Sequence, residues 1–377
     1  MTKLDVLIND FNKKFKDDLF TKGKVIQKCS RIPFSSPRAN YLLYGGIPRG
    51  RISEFSGTEN AGKTTACLDV VGNAQKLFQK EWEDRLTELE NIEKPNKTQI
   101  AELNELRETG PKKCVYIDAE NTFDTDWAEQ LGVDVDALVF MSPQAQSAET
   151  IFDMVIPIIE TGEVGLCVID SFGVMLSQQA YEKDIADKTY GGIAMALTNF
   201  SKRAEMVCAK TNCALIGVNQ LRDDMNSMYG GTTTVGGRAW KHNCSVRLAF
   251  QKGDFFDDKY VKVAKTTCEN PFGHKIKVSV EKTKICKPDR KLGSFTLVYT
   301  KGIDAQMDYI ELAIKENIIK QAGAWFTFVD PKTGEMLCDE EGSEIKVQGQ
   351  RNLPTFLDNN IEFYTHLKEA INEKTTS

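Results

Sequence analysis

The sequence predicts an α/β fold: a mostly parallel central sheet with an antiparallel extension, a short N-terminal helical segment and a small C-terminal α+β domain. Three observations carry this expectation. Apolar runs without polar alternation recur between helical stretches, as RISEFS, KCVYIDA, ALVFMS, VGLCVIDS and CALIGVNQ, which is how strands covered on both faces read. The later runs CSVRLAFQ, HKIKVSVEKTK and GSFTLVYTK follow one another without long helices between them, which suits antiparallel neighbours. Between the first strand and the first long helix lies SGTENAGKTT, small and polar throughout.

Taken in chain order, residues 1–30 carry Leu4, Leu7, Ile8, Phe11 and Phe15 at helical spacing. Such a helix buries too little alone and is expected to dock on the core or on a neighbouring subunit. Residues 31–302 hold the alternating strands and helices of the core. Within it, residues 78–110 form a highly charged insertion whose apolar positions Trp82, Leu86 and Leu89, then Ile100, Leu103 and Leu106, flank the turn-like KPNK. This reads as a projecting helical hairpin, a solvated spacer in preference to a partner-binding arm. Residues 221–240 read as a long Gly/Thr-rich loop, and residues 303–377 as a small separate unit.

Composition narrows the function classes. The chain has 377 residues, 41% of them hydrophobic, and no apolar run long enough to cross a bilayer. Its start, MTKLDVLINDFNKKFK, lacks the apolar centre of a signal peptide, so a cytoplasmic protein without a membrane partner is expected. Ten cysteines are scattered without a C-x-x-C pair, and buried free thiols in a reducing compartment are expected. His242 and Cys244 read as an accidental pairing. A net charge of -6 argues against indiscriminate polyanion binding. A local anionic partner is still compatible with residues 275–291, where seven basic residues face two acids.

The glycine-rich stretch is G-x-x-x-x-G-K-[ST], as Gly57, Thr58, Glu59, Asn60, Ala61, Gly62, Lys63 and Thr64, followed by Thr65. With a strand before it and a helix after, it is expected to cradle nucleotide phosphates on backbone N–H groups and the positive helix end. Lys63 is expected to reach the terminal phosphates of ATP, and Thr64 to hold Mg²⁺. VGLCVIDS ends a strand with Asp170, the expected second Mg²⁺ group. CVYIDAEN ends in Asp118 and Glu120, where Glu120 is expected to polarise the attacking water. VNQLR places Gln220 at another strand end, able to sense the terminal phosphate and relay it into the loop that follows. In that loop, Arg222 and Arg238 suit phosphodiester contacts, and Met225 and Met228 suit wedging between bases.

These strings, with TTTVGGRAWKHNCSVRL and IKENIIKQAGAWF, resemble the RecA-type DNA recombinases, including phage members of the UvsX type, over about residues 30–328. The resemblance implies a RecA-like P-loop ATPase core and an ATP-dependent homologous recombination and repair protein. Such a protein forms a homo-oligomeric helical filament on single-stranded DNA, pairs it with double-stranded DNA and hydrolyses ATP to ADP and phosphate. It implies Trp127 stacked on adenine, Glu120 as catalytic glutamate, and Lys282 and Lys284 reaching the neighbouring subunit's ATP. It further implies DNA contacts from Tyr190, Met225, Thr233, Gly236 and Gly237. Single-strand-binding and loader proteins are implied as partners, and a bacterial cell, with a phage-encoded origin, as the setting. The sequence departs from the bacterial pattern at Ala305 and Gln306, where an aromatic pair near the nucleotide is usual, at Met195, and at Asp223 and Asp224. A hexameric helicase with the same core, or a non-hydrolysing recombination mediator, would share part of this pattern.

Overall fold

A computed structural model of the chain describes residues 2–15, 29–143, 146–182, 192–223, 232–264, 266, 268–339 and 341–376. Residues 1–30 and residues 31–377 form two units. In the first, a helix spans Lys3–Phe15 and exposes Leu4, Leu7 and Phe11.

The second unit is organised by one large sheet. Its main path runs in spatial order through strands 302–303, 292–298, 273–283, 246–256, 52–57, 214–223, 164–170, 113–118 and 139–141. Strand Ile52–Gly57 is central and buried along its whole length. It pairs in parallel with Ala214–Asp223 on one side and with Val246–Phe256 on the other. The run CSVRLAFQ, expected only as an antiparallel extension, therefore joins the parallel set through one edge. The short helix Gly237–Asn243 carries the chain to the far side of the central strand, as a parallel connection requires. Antiparallel pairing begins at the other edge of Val246–Phe256 and continues through Gly273–Thr283, Leu292–Val298 and Gly302–Ile303.

Two apolar layers cover this sheet. One is built on the helix after the glycine-rich stretch, with Ala66, Val70, Val71 and Phe78 against Phe55, Tyr116, Val168 and Ile216. The other packs Ile151, Phe152, Leu197 and Phe200 against Ile117, Ile169 and Leu215. Residues Ala305–Thr376 carry a separate apolar cluster around Phe326, Phe328, Leu353 and Leu367, built from helices and a three-stranded sheet. No helix among the described residues is long and apolar enough to cross a membrane. Cys67, Cys114, Cys167, Cys208, Cys213 and Cys244 are buried free thiols.

The charged insertion differs from a separate hairpin in its first arm. A single helix runs Lys63–Glu90, so that arm is the continuation of the glycine-rich stretch's own helix. The second arm, Lys97–Thr109, opens with a capping box between Asn96 and Gln99. Trp82 Nε1 donates to the Leu106 carbonyl, and Arg85 and Arg107 pair with Glu102 and Glu90 across the arms. No residue of the second arm is buried, so solvated ion pairs hold the arms together along with a thin apolar seam.

Candidate functional site

The parallel strands all point their C-terminal ends at one edge of the sheet, and the connections there line a cleft of about 560 Å³. Its wall includes residues 59–65 together with Glu120, Trp127, Asp170 and Gln220.

The glycine-rich stretch wraps over the central strand's end before entering its helix. Gly62 adopts φ +91°, and a Cβ there would lie 2.5 Å from Ile276 Cδ1, so both conformation and space demand glycine. Asn60 takes φ 55° in the same turn. The loop lies at the N-terminus of a 28-residue helix, whose end carries about half a positive charge. This cradle fits a phosphate chain. Lys63 is 8% exposed, and its Nζ donates to the carbonyls of Gly57 and Thr58 at 3.1 and 2.6 Å. Burial lowers its pKa, and Asp170 and Glu120 act against that shift.

Thr64 Oγ1 donates to Asp170 Oδ2 at 2.8 Å, and the buried Tyr116 hydroxyl donates to the same oxygen at 2.8 Å. Burial raises the Asp170 pKa, and these two hydrogen bonds draw it back down. Among the described residues there is no group of three His, Cys, Asp or Glu side chains suited to a metal. One carboxylate and one hydroxyl beside a phosphate cradle are hard-oxygen donors, the set that Mg²⁺ takes when phosphates and water complete its shell. Thr64 and Asp170 therefore fit the ion.

Asp118 and Glu120 divide their tasks. Asp118 accepts from the backbone N–H groups of Glu120, Thr122 and Phe123, so it shapes the turn and has little capacity left for chemistry. Glu120 is the side chain that this turn presents. Its Oε1 accepts from Gln220 Nε2 at 2.8 Å and from the Ser171 hydroxyl.

Trp127 lies in a short helix capped by Asp124 and is half-buried against the apolar layer on that face of the sheet. Lys252, His274, Leu297 and Tyr299, which the sequence did not single out, also line the cleft. Tyr299 OH and His274 Nδ1 lie 2.9 Å apart. Burial and then Lys252 push the His274 pKa down to about 4, so its ring is neutral near pH 7. Gln306 lies elsewhere, donating to Asp358 and to the Pro354 carbonyl.

The expected DNA loop is more structured than anticipated in the part described. Strand Ala214–Asp223 runs past Gln220, and Thr232–Thr234 pairs back onto it antiparallel. Gly236 and Gly237 both take positive φ, leading into helix Gly237–Asn243. Trp240 on that helix is fully buried, and its Nε1 donates to the buried carboxylate of Glu54, which also accepts from Asn219 and pairs with Arg247. Arg222 donates to the Gly173 carbonyl, and Thr233 accepts from Lys241 Nζ. Arg238 is exposed. Tyr190, Met225 and Met228 lie outside the described residues.

Lys282 and Lys284 do not line the cleft. Lys282 pairs in register with Arg247, while Gly57 of the cradle pairs with Phe250. Three residues along that strand is about 10 Å, which sets the lysines toward the opposite end of the sheet. The strand that carries Lys282 ends at Thr283, and the Lys284 N–H donates to the Ser245 carbonyl just beyond it. Lys282 Nζ donates to the carbonyls of Lys241 and His242 at 2.6 and 2.7 Å, at the C-terminus of helix Gly237–Asn243. Burial and the neighbouring Lys284 lower its pKa.

A family model described as the RecA N-terminal domain matches residues 82–304. The chain is 30% identical over 340 residues to Protein RecA of Chlorobaculum parvum, covering 89% of this chain and 85% of that protein. It is 30% identical over 330 residues to Protein RecA of Clostridioides difficile, covering 87% and 78%. It is 28% identical over 334 residues to Protein RecA of Clostridium acetobutylicum, covering 88% and 79%.

Proposed function

This chain belongs to the RecA family, and on that premise we propose that it binds ATP in the cleft and assembles as a helical filament on single-stranded DNA, where it pairs that strand with homologous duplex. It is a RecA-like recombination and repair protein. Members of the family are DNA-dependent ATPases, and the residues of the cleft support hydrolysis by this chain as well.

In this reading residues 57–62 hold the phosphates on their backbone N–H groups, and Lys63 exchanges its two loop carbonyls for the terminal phosphate. Mg²⁺, when bound, neutralises charge on the phosphates; Thr64 and Asp170 would hold it. Glu120 accepts a proton from the attacking water, with Ser171 and Gln220 orienting its carboxylate. Trp127 stacks on the base. Lys282 and Lys284 act on the neighbouring subunit's nucleotide, because they lie too far from their own.

The observation that carries the proposal is the contact between Gln220 and Glu120. Gln220 stands on the strand that continues directly into the region carrying Arg222, Thr233, Gly236, Gly237 and Arg238, where DNA would bind; Tyr190 and Met225 are assigned to the same role from the resemblance alone. One strand thus links hydrolysis to DNA. The test is ATP turnover with and without single-stranded DNA, together with electron microscopy of the DNA complex with a slowly hydrolysed ATP analogue. DNA-stimulated turnover with long helical filaments is the expected result. Closed rings would favour a helicase, and DNA binding without turnover a mediator.

A further inference from the structure

The Asp170 oxygen Oδ2 has two donors from different elements. Thr64 and Tyr116 each donate to it at 2.8 Å. Thr64 is itself one of the groups suited to Mg²⁺, so its hydroxyl serves the ion through its oxygen as well as Asp170 through its proton. Tyr116 has no such second task. It lies on strand Lys113–Asp118, beside strand Val164–Asp170, with Tyr116 in register with Val168 and Asp118 with Asp170. Residues two apart on a strand share a face, so Tyr116 and Asp170 both point toward the helix of the cradle. The ring is 1% exposed and packs edge-on to Phe123 with centroids 5.6 Å apart. Among the described residues, Asp170 is the side chain to which this hydroxyl donates.

We propose that Tyr116 is a positioning residue for Mg²⁺: its hydroxyl holds the Asp170 carboxylate in its metal-binding orientation. This rests on the reading of Thr64 and Asp170 as the Mg²⁺ groups. An apolar residue could fill the space under the helix, but it would leave Asp170 Oδ2 without the donor that Tyr116 supplies. Donors behind metal-binding carboxylates are worth about 10–100-fold in metal affinity.

The test is nucleotide binding, followed by fluorescence of a labelled ATP analogue, as Mg²⁺ is titrated. The wild type, Tyr116→Phe and a protein with para-aminophenylalanine at position 116 are compared, each checked for a cooperative thermal transition. Tyr116→Phe is expected to raise the Mg²⁺ midpoint about 10-fold while leaving binding in EDTA unchanged. The amine, which restores a donor, is expected to bring the midpoint back. An unchanged midpoint in Tyr116→Phe overturns the proposal, as does an equal loss of binding with and without Mg²⁺, the mark of a merely structural role. Should Tyr116→Phe not fold, the amine variant decides: a wild-type midpoint supports the proposal, and a raised one overturns it. Wild-type binding that ignores Mg²⁺ would instead remove the metal reading on which the proposal stands.

Discussion

Gln220 donates through Nε2 to Oε1 of Glu120 at 2.8 Å, joining the end of one parallel strand to the turn after another. The Ser171 hydroxyl reaches the same oxygen. Two donors on one oxygen hold that carboxylate in one orientation. A turn of the Gln220 amide toward a terminal phosphate would therefore report the nucleotide to the residue that acts as base. Strand Ala214–Asp223 is the physical link, since moving Gln220 moves Leu221 and Arg222.

Glu120→Gln is expected to retain nucleotide binding and lose turnover by about 10²–10⁴-fold, the usual worth of a positioned general base. Lys63→Ala is expected to lose binding itself, because the cradle loses its charged contact to the transferring phosphate. Nucleotide titration and single-turnover hydrolysis on both proteins separate these outcomes. Normal turnover in Glu120→Gln would remove that residue from the role of base.

The DNA region invites a different measurement. Residues 221–240 are expected to be protected from protease by single-stranded DNA, with protection confined to the stretch before Trp240, which is already buried. Equal cleavage with and without DNA counts against the assignment. If phosphate contacts dominate, affinity should fall by about 0.7 log units per log unit of salt for each phosphate neutralised. Arg238→Ala should then lower that slope by one such increment and weaken binding to all sequences alike.

Much of this site was legible because its chemistry is tied to local sequence. The spacing from Gly57 to Thr64 fixes a cradle wherever a strand precedes and a helix follows, and Asp170, Glu120 and Gln220 each end an apolar run. What stayed hidden depends on neighbours distant in the chain. Tyr116 looks like one more apolar strand residue until strand pairing brings Asp170 beside it. Glu54 sits in the middle of RISEF, and nothing local says that Asn219, Trp240 and Arg247 will converge on its carboxylate. Because that convergence buries Trp240, part of an expected loop is core. His274 and Tyr299 meet only because Gly273–Thr283 and Leu292–Val298 pair with His274 opposite Leu297.

The His274 ring also makes a pH dependence. Its folded-state pKa of about 4 lies below its ordinary value of 6.5. The unfolded chain therefore binds the proton more readily, and the contribution to stability is full above pH 6.5 and is lost as pH falls toward about 4. Asp69 and Asp308, both raised by burial to about 6, act with the opposite sign, their contributions growing as pH falls from about 6 toward 3.8. They are common to wild type and variant. Denaturant unfolding of nucleotide-free His274→Gln is thus expected to lack part of the wild type's loss of stability between pH 6.5 and 4. Parallel stability curves for the two proteins would show that the ring's protonation is not linked to folding.

The placement of Lys282 and Lys284 makes the most demanding prediction, because it concerns a nucleotide that their own subunit does not hold. In the free chain Lys282 caps the helix Gly237–Asn243 through two carbonyls, and a surface cation at a helix C-terminus is worth about 0.3–1 kcal/mol. Its loss is too small to unfold the protein, so a large effect on turnover would have another origin. The bland alternative is that both lysines are solvated residues near a strand end, in which case their removal changes hydrolysis little. Under the cross-subunit assignment, the double variant Lys282→Ala with Lys284→Ala should fold and bind ATP, yet fail to hydrolyse it on DNA, as subunits deprived of a trans-acting cation do. Mixing it with Lys63→Ala protein should restore part of the activity, since one subunit then supplies an intact cradle and its neighbour intact lysines. Turnover measured across mixing ratios should peak at intermediate composition. Mixed assemblies that demonstrably form on DNA and show no recovery at any ratio would place the lysines outside the neighbour's site.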